Sequence, residues 1–278
     1  MNTPLENEIA KRLGVLPNFF RLGYDPAIAS NLWGFARFAY LDNPLPSLFK
    51  ERLLVYLGRF CEVRYCLARH VGFLAGLGYP AGDSSCVPQK LECILPLLRR
   101  PLPHGDDLLS LFTVCDAFDS PLSSFPLVDS LGEQALFACA AHVFLQTPEA
   151  SHAHEALRRA LGAGNLEQLN LLLAFARTAH YWTKLHPGLT LDDDITQLLA
   201  THEALAQCIL KDPEAHRDSL LRQVAAELTL VRKLRKRHEN LSQAYQELSI
   251  DCRKVKKTSA NWPRECQSRS MHPIKTES

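Results

Sequence analysis

The sequence predicts an all-α fold. Three observations carry that expectation: apolar residues recur at spacings of three and four through most of the chain, no run alternates with period two long enough to form a strand, and clusters of Pro, Gly, Asn and Asp separate the helical stretches. The first periodic stretch covers 28–40. It ends in Asp42-Asn43-Pro44-Leu45-Pro46-Ser47, a turn whose final serine is placed to cap the next helix. Helices are then expected over 48–60 and 65–77, followed by the loop Gly78-Tyr79-Pro80-Ala81-Gly82-Asp83, a helix over 91–98 and the loop Arg100-Pro101-Leu102-Pro103-His104-Gly105. A proline-flanked stretch at 120–126 divides the body into halves of about 1–120 and 127–212. The second half carries helical periodicity over 134–145, 153–161 and 166–185. The run Asp192-Asp193-Asp194 reads as the acidic start of another helix ahead of Ile195, not as a metal site.

Hydrophobic residues make up 46% of the 278 and charged residues 22%, which suits a chain with a core to bury. No stretch reaches the roughly 18 apolar residues of a membrane span. Arg177 and His180 break the run from Leu166, and Glu133 and His142 break that from Leu131. The first ten residues are polar with no apolar signal core, so a cytoplasmic location is expected. Nine cysteines are too few for a disulfide scaffold and read as reduced thiols. They include no Cys-x2-Cys pair, and the chain holds no G-x-G-x-x-G, P-loop or His-Glu-x-x-His, so neither a metal nor a cofactor is expected.

A net charge of +1 hides an asymmetry: from Arg232 onward twelve Lys and Arg face five Asp and Glu, whereas the body before it is acidic. Between 217 and 248 there is no Gly or Pro. Leu221, Val224, Leu228, Val231, Leu234, His238, Leu241, Tyr245 and Leu248 step by threes and fours, a coiled-coil seam with a stammer between Val231 and Leu234. Residues 213–250 are therefore expected to form a coiled-coil signalling helix that makes a homo-oligomer through 217–248; the alternative is an amphipathic helix folded onto the body. The cluster Arg232, Lys233, Arg235, Lys236 and Arg237 has no interleaved aromatics and reads as a solvated face, so no nucleic-acid partner is expected. The basic, polar stretch 251–278 reads as disordered.

One region carries candidate chemistry. Cys66 and His70 are four apart, so on a helix they share a face, where an imidazole can take a thiol proton or stabilise a thiolate. The bland alternative is a buried cysteine beside a satisfied core histidine. Glu133, Cys139 and His142 read as core packing, and His180, Tyr181, Trp182 and His186 as pocket lining or as anchors at a helix end.

With Glu51 fifteen residues ahead of Cys66 and Tyr65 just before it, the stretch resembles the catalytic region of the alkylhydroperoxidase D-like (AhpD-like) family, which also contains carboxymuconolactone decarboxylases. That family's motif is a Glu followed by Cys-x-x-Cys-x3-His. Glu51, Cys66 and His70 fall on its Glu, second Cys and His, while Val63 stands at the first Cys. Leu16-Pro17-Asn18-Phe19 resembles the loop leading to the family's site, and the stretch from Ala160 to Leu185 resembles the helix that follows it. The resemblance implies that Glu51, His70 and Cys66 form a relay, and that the family's dithiol cycle is absent because Val63 cannot form a disulfide. The relay needs a bend near 59–63, since an unbroken helix would put Glu51 about 22 Å from Cys66. The alternative for Glu51 is a solvated first-turn carboxylate after Ser47, favoured by the helix dipole. Cys61 would point about 140° away from Cys66 on such a helix. More narrowly, Asn31-Leu32-Trp33-Gly34-Phe35 through Gly82-Asp83 resembles the N-terminal domain of certain bacterial sensor histidine kinases. This implies a sensory module of a two-component system, redox- or ligand-responsive at Cys66 and His70, with a kinase or response-regulator partner. A one-cysteine alkyl hydroperoxide peroxidase, a decarboxylase-like lyase working through Glu51 and His70, and a dimerisation protein with a vestigial pocket are the competing expectations.

Overall fold

Every regular element among the described residues is helical. The structure, a computed structural model, describes residues 2–22, 25–118, 122–210, 232–246, 248 and 250, and the chain falls into two units, Met1–Glu214 and Ala215–Ser278. The first unit opens with α1 (Pro4–Leu13). Thr3 and Glu6 cap it reciprocally, Pro4 takes its first position, and Gly14 ends it at φ 75°. A 3-10 turn (Asn18–Arg21) leads to α2 (Pro26–Ala36), whose first turn is capped by the Asp25 carboxylate accepting from the Ala27 N–H at 2.8 Å. α2 runs into one turn of π-helix, Arg37–Leu41, closed by the Asp42 N–H on the Arg37 carbonyl at 2.7 Å.

α3 (Ser47–Gly58) and α4 (Arg64–Leu74) follow as an adjacent pair. Ser47 is not the cap that the sequence suggests. Pro46 holds that position without any side-chain bond, and the Ser47 hydroxyl instead serves Asp83. The break between α3 and α4 is real, and Gly58 assists it differently from a loop glycine: a Cβ there would lie 3.3 Å from the Leu67 backbone, so its absence lets the two helices close together. Because 59–63 is not helical, the 140° separation of Cys61 and Cys66 does not apply.

A 3-10 turn (Pro80–Gly82) precedes α5 (Leu91–Arg99), α6 (Gly105–Asp116) and α7 (Leu131–Leu145). α8 (Ala150–Lys184) breaks at Gly162, where φ is 70° and ψ 169°, so the two helices expected at 153–161 and 166–185 are its two arms. α9 (Asp193–Thr201) and α10 (Glu203–Leu210) complete the unit. Both halves feed one apolar core that runs from Ile9 and Leu13 through Leu53, Leu57 and Phe137 to Leu205 and Ile209.

α3 is the axis of this core. Every residue from Phe49 to Gly58 is buried, including Lys50, Glu51 and Arg52 at 1%, 0% and 0% exposure. Three successive side chains leave a helix about 100° apart, so each buried charge needs its own partners. Arg52 takes both Glu133 oxygens at 2.7 and 2.9 Å, Asp129 at 2.6 Å and Gln89 at 3.0 Å, which ties the first half to the second. Lys50 donates to the carbonyls of Tyr40, Leu41 and Asn43 at 2.7, 3.3 and 2.7 Å. Glu51 faces the pocket described below.

In the second unit residues 232–246 are helical, with an Arg235–Glu239 ion pair at 3.3 Å. Leu234, Leu241 and Tyr245 of the expected seam are 54%, 70% and 76% exposed, and the basic cluster is solvated. Leu221, Val224, Leu228 and Val231 lie outside the described residues, as does the stretch 251–278.

Candidate active site

The turn at 59–63 folds α4 back along α3, and the Glu51 carboxylate meets the His70 ring. Glu51 Oε1 accepts from His70 Nδ1 at 2.6 Å, while Oε2 accepts from the Ala81 N–H at 3.0 Å and from the Tyr40 hydroxyl. Three donors satisfy this fully buried carboxylate. They also fix the imidazole: with Nδ1–H given to Glu51, Nε2 is the nitrogen that His70 has left for the pocket it lines. Ala81 reaches Glu51 from a left-handed backbone, φ 47° and ψ 33°, which costs a non-glycine residue about 1 kcal/mol. The solvated carboxylate that the sequence leaves open is thus excluded at Glu51.

The pocket is a half-open concavity with about 420 Å³ of free space, its open mouth included. Leu13, Phe19, Phe20, Tyr40, Phe73 and Phe175 give it an apolar wall, into which Cys66 and His70 bring the thiol and the imidazole. Tyr40 stacks on Phe175 at 5.5 Å and meets His70 edge-on at 5.7 Å, so the imidazole is held by packing as well as by Glu51. Burial and the neighbouring Glu51 charge push the Tyr40 phenol well above its ordinary pKa, which keeps it a donor.

Cys66 lies in the first turn of α4, where unshared backbone N–H groups favour a thiolate. Burial wins and pushes the thiol up to about 11. Its sulfur is 3.5 Å from Thr183 Oγ1, whose own proton goes to the Ala179 carbonyl at 2.8 Å, so the thiol is the donor in that contact. An ionised Cys66 would have to turn the Thr183 proton onto itself. Cys61, on the preceding turn, sits 3.6 Å from the Leu57 carbonyl and is pushed up to about 12 by burial. Neither thiol is a resting nucleophile at neutral pH.

The mouth joins the expected loop at 16–19 to Asp192, which the sequence assigns to the start of a helix. The Asp192 side chain does not cap α9; it accepts from the Asn18 N–H at 2.6 Å and from the Tyr65 hydroxyl at 2.9 Å, and pairs with Arg69 at 3.3 Å. Tyr65 in turn accepts from the Phe19 N–H at 3.0 Å. These bonds hold Pro17, Phe19 and Phe20 over the pocket. Arg69 is also 3.0 Å from Asp194, so its cation is neutralised within the wall.

Of the remaining candidates, Glu133 belongs to the Arg52 clamp, the Cys139 sulfur lies 3.9 Å from that of Cys115, and His142 is held between Thr147 and the Pro103 carbonyl. His180 faces inward: burial, then the nearby His70, pull it down to about 3, so it stays neutral. Tyr181 is 66% exposed, and Trp182 packs on His186 at 4.5 Å. Among the described residues no three His, Cys, Asp or Glu side chains gather as a metal site, and no helix is long and apolar enough to cross a membrane. No family model, curated protein or solved structure matches the chain.

Proposed function

We propose that the chain is a ligand-responsive sensory module of AhpD-like type, in which Glu51 and His70 form an acid–base dyad for a small apolar molecule carrying one exchangeable proton. The observation that carries this reading is the Glu51–His70 hydrogen bond at the wall of an apolar pocket whose thiol is held protonated. A carboxylate-anchored imidazole offers a proton acceptor at Nε2 and, after accepting, an imidazolium stabilised by the carboxylate beneath it. An acid, hydroperoxide or phenol entering the pocket can transfer its proton to His70 while its apolar part lies against Phe20, Phe73 and Phe175. Cys66 serves as a contact, and as a slow redox reporter when oxidised, and Val63 gives it no partner thiol within the motif. The output falls to the helix at 232–246 and its seam, which suits pairing with a second copy and coupling to a kinase or response regulator.

The test is made on the purified chain with cumene hydroperoxide and its redox-inert analogue cumyl alcohol. Saturable chemical-shift changes at His70 with the alcohol, lost in His70→Gln, together with no sustained consumption of the hydroperoxide in the presence of dithiothreitol, are expected. Sustained consumption abolished by Cys66→Ser would replace this reading with the one-cysteine peroxidase. Conversion of a carboxylated lactone, abolished by Glu51→Gln and unaffected by Cys66→Ser, would replace it with the lyase.

A further inference from the structure

The π-turn that carries Tyr40 is an expensive piece of backbone, because its carbonyls point into the core instead of continuing a helical ladder. The carbonyls of Tyr40, Leu41 and Asn43 converge on one group, the ammonium of Lys50. That side chain is 1% exposed and makes three bonds, as many as an ammonium can donate. Lys50 is also the residue immediately before Glu51, and the Tyr40 hydroxyl donates to Glu51. A closed path therefore runs from the Lys50 ammonium to the Tyr40 carbonyl, through the Tyr40 ring to its hydroxyl, and on to the carboxylate that holds His70. Asn43 reinforces the same corner, since its amide donates to the Ala39 and Gln168 carbonyls at 3.1 and 2.9 Å. An apolar residue at position 50 would fill the same space, but it would leave three buried carbonyls unpaired.

We infer that Lys50 is a positioning residue for the Glu51–His70 dyad, acting through Tyr40: its ammonium fixes the π-turn so that the phenol donates to Glu51 Oε2 and leaves Oε1 to His70. The inference deepens the acid–base reading of the site and rests on it. Lys50 does not touch the pocket and is absent from its wall. The charged groups facing its ammonium are Glu51 on its own helix, Asp42 at the end of the π-turn and Asp83 beyond the 3-10 turn. All three are carboxylates, and each favours the charged form of Lys50 against the effect of its burial. Burial lowers Lys50 to about 8, so around that pH it changes from three-donor ammonium to two-donor amine. Tyr40 is held well above its ordinary range and stays protonated there.

The test uses proton NMR on the ligand-free chain, with the Tyr40 hydroxyl proton assigned by its loss in Tyr40→Phe and the His70 Nδ1 proton by its 15N coupling and its loss in His70→Gln. The Tyr40 proton is expected to shift as pH rises through about 8, with the midpoint read independently at the 15N-labelled Lys50 amine. Lys50→Met is expected to abolish the Tyr40 signal and to move the His70 Nδ1 signal, because an Oε2 freed of the phenol competes with Oε1 for that proton. A Tyr40 signal that ignores the Lys50 titration, or that persists unchanged in folded Lys50→Met, overturns the inference. Should Lys50→Met fail to fold, the titration of the unaltered chain decides alone. Because no ligand is present, failure of cumyl alcohol to bind would remove the proposed function without touching this result.

Discussion

Cys66 should be a slow nucleophile whose rate keeps climbing well above neutral pH. At pH 7.5 a thiol with a pKa of about 11 is only about 0.03% thiolate, against about 10% for an ordinary cysteine near 8.5. The more basic thiolate is intrinsically the better nucleophile, and a Brønsted slope of about 0.4–0.5 over the roughly 2.5 pKa units returns about ten- to eighteenfold of that deficit. Alkylation of Cys66 by iodoacetamide should thus run about twentyfold slower than that of the same residue in urea-unfolded chain, before any hindrance by Phe19 and Phe20 is counted. From pH 7 to 10 its rate should rise close to tenfold per unit. Peptide-resolved mass spectrometry is the assay, since it separates Cys66 from the other eight cysteines. A rate that levels off below pH 8, or that exceeds the unfolded reference at neutrality, would mean a thiolate–imidazolium pair with His70 and would refute the neutral-thiol reasoning.

Glu133→Ala removes both carboxylate bonds from a guanidinium with no exposed surface, and should cost about 3 kcal/mol, the low end for a broken buried pair because Asp129 remains. Urea midpoints read this directly, and a loss under about 1 kcal/mol would show that Asp129 and Gln89 suffice. His180, lowered to about 3 in the fold from 6.5, binds fewer protons there than in the unfolded chain, so it should erode stability as pH falls from about 6.5 toward 3. His180→Gln should flatten that slope, with His142 contributing the remainder in the same direction; an identical acid limb in the variant would contradict the burial of His180. The seam predicts a homodimer through 217–248 that truncation after 212 abolishes and Leu241→Asp weakens. A monomer by sedimentation at tens of micromolar would exclude it.

The parts of this molecule that sequence reading reaches are those whose signal is local. Helices at 48–60, 65–77 and 134–145 are visible because apolar residues repeat within each, and the bend between Glu51 and His70 follows from their spacing once the resemblance is admitted. α1 and α6 are missed because each shows the core a narrow stripe: only Ile9 and Leu13 of one, and Leu108 and Cys115 of the other, are buried. The Tyr40 hydroxyl has no local signal at all, since its partners are Glu51, eleven residues on, and the Ala81 amide, forty-one residues on. Asp192 misleads in a different way. An acid ahead of a helix ordinarily belongs to its first turn, yet this one turns away to the chain's opening segment 174 residues earlier. The run Lys50-Glu51-Arg52 does contain a legible hint, because three charges within a strongly apolar helix must either be solvated or each be matched, and all three are matched.

The break in α8 sets a boundary on how this protein can drift in sequence. At φ 70° and ψ 169° position 162 occupies a backbone region open essentially to glycine alone, and the arm that follows it supplies Phe175 and Ala179 to the pocket and sets Thr183 against the Cys66 sulfur. Any other residue there would straighten or redirect the arm and carry one wall away as a block, leaving Glu51 and His70 intact on their own helices. Substitutions along the arm can therefore retune the shape of the cavity one side chain at a time, while position 162 behaves as an all-or-nothing locus. Lineages that change what the pocket accepts would be expected to vary at 175 and 179 and to keep the glycine.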